Sequence, residues 1–148
     1  MRHSTAVLLL ALSPLAPLAA PADQGLTERL SPYPVPETID RLEAAFGSKG
    51  VHVFARIDHS AGAQAAGLSL RPTQLLIFGN PKVGTPLMQV APTVGLDLPM
   101  KVLAWQDAQG QVHVTWNTPE YLVQRHGLDP DTAAALAPIG GLIEGALK

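Results

Sequence analysis

Cysteine is absent from the 148 residues. That excludes thiol catalysis, zinc sites built on thiolates, thiol-ligated clusters and lipid attachment to a cysteine. A strong charge of one sign is also missing: 10 Lys plus Arg stand against 12 Asp plus Glu, a formal net charge of −2. Such a balance argues against nucleic acid or an anionic membrane surface as the partner. No G-x-S-x-G elbow marks a serine hydrolase. Outside the amino-terminal segment the histidines are His52, His59, His113 and His126, and none shows the i, i+4 spacing of a helical zinc motif. Neither a metal nor a cofactor is therefore expected.

The chain opens MRHSTAVLLLALSPLAPLAAPADQ. Basic Arg2 and His3, an apolar segment from Ala6 to Leu18 and the small-residue pattern Ala20-Pro21-Ala22 have the layout of a secretory signal peptide. The apolar segment is interrupted by Ser13, Pro14 and Pro17. It is also shorter than the ~20 residues that span a bilayer, so no stable membrane anchor is expected. Cleavage after Ala22 would remove Arg2 and leave 126 residues of net charge −3. That length fits one domain, residues 23–148, located in the periplasm or secreted.

Local patterns predict an α+β domain. Leu26 to Leu30 reads as a first strand, and Val35, Ile39, Leu42 and Phe46 recur at helical spacing before a glycine stop at Gly50. VHVFARID alternates, which predicts a core face of Val51, Val53, Ala55 and Ile57 and an outward face of His52, Phe54, Arg56 and Asp58. HSAGAQAAG reads as a short helix and TQLLIF as a central strand. In MKVLAWQDAQGQVHVTWN, Asp107 is placed opposite Gln111. Val102, Ala104, Val112, Val114 and Trp116 then share one face, and Lys101, Leu103, Trp105, His113, Thr115 and Asn117 the other. TPEYLVQRHG predicts a helix capped by Thr118, and Asp129-Pro130 starts a last helix broken at Pro138. The expected architecture is an antiparallel-rich sheet with helices packed largely on one face.

FGNPKVGTP contains glycines spaced as in a phosphate loop. A nucleotide site needs Lys and then Ser or Thr after the second glycine, and here Thr85 and Pro86 follow Gly84. The stretch therefore reads as a strand-to-helix connection, with Asn80-Pro81 starting a turn and a helix starting at Thr85-Pro86.

Asp58-His59, at a strand end, would suit an acid/base pair, although Asp58 or Ser60 capping the next helix explains them as well. The polar and aromatic residues on the outward strand faces, Arg56, Lys101, Trp105, His113 and Asn117 with Phe54, would suit a pocket for a small polar or anionic ligand. They would suit a homodimer interface almost equally.

The runs VFARIDHSAGAQAAGLSLRPTQLLIFGNPKVGTPLMQ and LDLPMKVLAWQDAQGQVHVTWNTPEYLVQRHGL resemble the family named domain of unknown function 302, from Ser31 to about Leu128. The resemblance rests on Ile57-Asp58-His59, Gly79-Asn80-Pro81, Leu98-Pro99 and the N-x-P pattern Asn117 to Pro119. It implies an α+β fold, a dimer and no established reaction. The family motifs mark Asp58, His59, Asn80 and Asn117 as site candidates, and the strand patterns add Lys101 and His113. Three readings follow: a small-ligand-binding module, an enzyme using Asp58 or His59 as acid or base, and a homodimeric interaction protein.

Overall fold

The computed structural model describes residues 25–148. The leader expected over residues 1–22 lies outside them. Five strands, β1 (Leu26–Ser31), β2 (His52–Asp58), β3 (Thr73–Gly79), β4 (Met100–Gln106) and β5 (Val112–Asn117), form one sheet in the order β1-β5-β4-β3-β2. Every neighbouring pair is antiparallel. The 13-residue helix α1 (Val35–Gly47) carries the chain from the β1 edge to the β2 edge. Its buried Val35, Ile39, Leu42 and Phe46 form the predicted stripe, and Phe46 stacks on Phe78 of β3 with ring centroids 4.2 Å apart.

The remaining helices are α2 (His59–Ala65), α3 (Pro81–Val90), α4 (Pro119–Arg125), α5 (Ala133–Leu136) and α6 (Pro138–Ala146). The core lies between the helices and one sheet face, where Leu76, Phe78, Val102, Ala104 and Val114 are each fully buried. Leu136, Ile143 and Leu147 of the carboxy-terminal segment belong to this core, so α5 and α6 are part of the domain. On the other face Leu75, Ile77, Leu103 and Trp105 are only half-buried, and Leu26 and Leu30 are exposed.

The hairpin has the expected register, with Val102 opposite Trp116 and Trp105 opposite His113. The reason is Asp107, whose backbone N–H donates to Gln111 O while its carboxylate accepts from the N–H groups of Gln109 and Gln111. Gly110 completes the turn at φ +83°.

Two expectations are corrected. First, β2 does not keep its alternation: a bulge between Val53 and Ala55 makes Phe54 an extra residue. Beyond it Arg56 lies opposite Leu76 and Asp58 opposite Gln74, on the helix side, while Ala55 and Ile57 turn outward. Arg56 is tolerated there because β2 is an edge strand and its guanidinium reaches the rim. It donates to Gln74 Oε1 at 3.0 Å and Asp40 Oδ1 at 2.6 Å. Second, α3 starts at Pro81, one turn before Thr85-Pro86. Asn80 is the cap, accepting from Lys82 N at 2.9 Å, and Pro86 falls inside the helix.

Candidate functional site

The sheet register separates the candidate residues into three places. Asn80, Lys101 and Asn117 lie at the end of the sheet where β3 stops and β4 starts, with Lys101 and Asn117 neighbours on the outer face. Asp58 and His59 lie at the opposite end of β2, where β3 begins. His113 sits on the outer face towards the β4–β5 turn. The expected pocket on the sheet, which needed these side chains and Arg56 together, is not formed.

Four of the six make structural hydrogen bonds. Asp58 Oδ1 accepts from Ala61 N at 2.9 Å, which caps α2, and Oδ2 accepts from Gln74 Nε2 at 3.0 Å. These bonds, the one from Ala61 foremost, lower the Asp58 pKa from the usual aspartate value. Asn80 caps α3. The Lys101 ammonium donates to the carbonyls of Asp97 at 3.3 Å and Pro99 at 3.1 Å.

His113 is held between two carboxylates, with Nδ1 2.8 Å from Glu28 Oε1 and Nε2 3.1 Å from Asp107 Oδ2. Its ring stacks on Trp105 at 4.3 Å, and the indole N–H donates to Thr115, whose hydroxyl donates to Glu28. The bond to Asp107, then that to Glu28, raises the His113 pKa. The same His113 contact is the first cause holding Asp107 low. Such a closed network joins β1, β4 and β5 and leaves no ring nitrogen for a substrate. Among the described residues, the side chains of His59 and Asn117 have no hydrogen-bond partner; Asn117 lines a cleft of about 150 Å³ with Asp97 and Lys101.

A further histidine–carboxylate pair carries no local sequence signal. His126 follows α4, and its Nε2 lies 2.6 Å from Asp97 Oδ2 while Nδ1 lies 3.1 Å from Thr93 Oγ1. The order of hydroxyl, imidazole and carboxylate is that of a nucleophile, base and orienting acid. Neither cavity is lined by Thr93 or His126, however. The chain of bonds ties α4 to the segment before β4.

The larger cavity, about 520 Å³, lies at the end of the sheet that holds Asn80. It is built from the β3–α3 connection (Phe78 to Thr85), Leu98 to Met100 before and in β4, the turn after α1 (Lys49, Val51), and Leu136, Ile139 and Leu142 of α5 and α6. Two of the sequence motifs, Gly79-Asn80-Pro81 and Leu98-Pro99, thus meet at one wall, and the Leu98–Pro99 peptide is cis. Phe54, the bulge residue, lies at the rim, 3.7 Å from where a Cβ on Gly79 would sit. Gly84 keeps the α3 wall low: a Cβ there would meet Leu98 at 3.6 Å and Met88 at 3.8 Å. Sequence patterns pointed to Asn80 but not to this cavity, because its other wall comes from the carboxy-terminal helices. Among the described residues, no group of His, Asp and Glu is arranged to hold a metal ion.

Two curated proteins named as fluoride-specific ion channels, from Brucella suis biovar 1 (strain 1330) and Brucella abortus biovar 1 (strain 9-941), are each 52% identical over 119 residues. The matched part is 79% of this chain but only 47% and 44% of those proteins, so the chain spans less than half their length. The crystal structure of an uncharacterised conserved DUF302 protein from Bacillus stearothermophilus has the same fold, with a TM-score of 0.71 at 24% identity. That match covers 84% of this chain and 96% of the other. The family model for DUF302, domain of unknown function, matches residues 27–146, from β1 through α6, and the chain belongs to that family.

Proposed function

We propose that the protein is an exported small-ligand-binding module whose site is the cavity between α3, α6 and the end of the sheet. One observation carries the reading: the G-N-P and L-P motifs converge on a cavity of about 520 Å³ lined mostly by apolar side chains. Small-molecule sites run from ~300 to ~1,000 Å³ and combine apolar walls with a few polar groups. Here Asn80, Thr85 and Lys49 supply the polar groups. The leader sequence supports export to the periplasm or beyond. The ligand is more apolar than the sequence patterns suggested, because of the six polar residues expected to hold it only Asn80 lines the cavity.

The neutral fluorescent probe N-phenyl-1-naphthylamine should bind one per chain. Gly84→Leu, whose side chain would extend into the cavity, should abolish the signal. Equal binding by a folded Gly84→Leu protein would sink the proposal.

A homodimer through the outer sheet face is a second reading, favoured by Leu26 and Leu30, 54% and 52% exposed, beside half-buried Leu75, Ile77 and Leu103. Catalysis by Asp58 and His59 gains no support, since both Asp58 oxygens already serve α2 and Gln74. Fluoride conduction is not part of the proposal. No helix of the described residues is long and apolar enough to cross a membrane, and the sheet is open with two edge strands.

A further inference from the structure

Resting on that reading, we infer that the cavity takes a single-chain amphiphile with a carboxylate head, a fatty acid, with its tail along the apolar wall and its head at Lys49. The tail's wall is Phe78, Val83, Met88, Met100, Ile139 and Leu142. Two methionines in that wall suit a flexible chain better than a rigid ring, because an unbranched thioether adapts to a ligand of many conformers.

Charge and hydrogen-bond donors select the head. Among the described residues, Lys49 is the only ionisable one lining the cavity. It is exposed, and among the described residues its ammonium has no ion pair or hydrogen bond. On the same lining, and among the described residues, the Asn80 amide nitrogen and the Thr85 hydroxyl also have no partner, whereas the Asn80 oxygen is occupied by Lys82 N. The site therefore presents donors and one positive charge, with no carboxylate, which complements an acceptor-only anion and disfavours a cationic head.

A phosphate clasped by the α3 amino terminus is excluded by the same geometry. Pro81 has no N–H, Lys82 N is taken by the Asn80 side chain, and the N–H groups of Val83 and Gly84 both donate to Asn80 O at 2.9 Å. No backbone donor remains at that turn, so the anion has to be met by side chains.

The test is calorimetric titration of the full chain, below micelle-forming concentrations, with octanoate, decanoate, 1-decanol and decyltrimethylammonium. Each added methylene should tighten binding about four-fold until the cavity is filled. Decanoate should bind about 1.4- to five-fold tighter than decanol, the range of a solvent-exposed ion pair. Lys49→Gln, a change at an exposed position, should erase that preference and leave decanol unaffected. Equal affinity for decanol or decyltrimethylammonium, or no effect of Lys49→Gln, would overturn the carboxylate head while leaving the cavity reading intact. If no alkyl ligand binds but N-phenyl-1-naphthylamine does, the acyl-chain inference alone fails. If that neutral probe also fails, both fall together.

Discussion

Asp58 shows how a motif residue divides between two roles. As a cap it needs an oxygen near Ala61 N; as a general base it would need a titrating carboxylate. Asp58→Asn keeps a capping oxygen, so thermal unfolding should change less than with Asp58→Ala. Equal losses would contradict the capping account. His113 gives a pH signature. Its raised pKa means that its bonds to Asp107 and Glu28 stabilise the fold fully below the ordinary histidine pKa of ~6.5, and that this stabilisation is lost as pH rises through the raised value. Asp107 is depressed, so its share is present above ~3.9 and is lost as pH falls through the lowered value. The stability difference between the wild type and His113→Gln, followed by urea unfolding, should therefore be greatest between those limits and shrink on the alkaline side. A difference independent of pH would show that the imidazole contributes by packing alone. Gly25 has φ +69°, and a Cβ there would run into the Tyr121 ring. Gly25→Val should cost more than about 2 kcal/mol, since left-handed strain and a clash combine.

At the scale of elements, legibility followed the locality of the physics. The α1 stripe, the Asp107 turn and the Thr118 cap depend on residues within a few positions of one another, and all three are where the sequence patterns put them. The β2 bulge could not be read, because VHVFARID alternates without a break. What turns Arg56 to the helix side is Asp40, on the helix 16 residues earlier, and Gln74 on the next strand. The α3 boundary departs from expectation for a different reason: Asn80-Pro81 and Thr85-Pro86 carry nearly the same start signal, and the earlier one caps the helix. Within α3, Gly84 lowers helix stability, and a Cβ there meets only side-chain atoms at ordinary distances. Gly84→Ala should raise stability by about 0.5–1 kcal/mol in urea unfolding. A loss would mean that the α3 wall is packed more tightly than these distances allow. Removing the ring that joins α1 to β3, in Phe46→Ala, should cost about 3–5 kcal/mol.

For the whole molecule, the candidate site is formed by chain closure. The cavity joins the segment after β3 to the carboxy-terminal helices, which are separated by the entire β4–β5 hairpin and α4. No spacing rule reaches that far, so the sequence showed Asn80 and the L-P segment but neither the wall opposite them nor the isolated charge of Lys49. The same folding leaves Leu26 and Leu30 exposed beside half-buried Leu75, Ile77 and Leu103 on the outer sheet face, and light scattering at low concentration tests whether a second copy covers them. A monomer would remove that reading without touching the cavity. The central claim is tested most directly by titrating N-phenyl-1-naphthylamine into the wild type and the folded Gly84→Leu protein. The account predicts one saturable site per chain in the first and none in the second; undiminished binding in Gly84→Leu, or no binding in either, would contradict it.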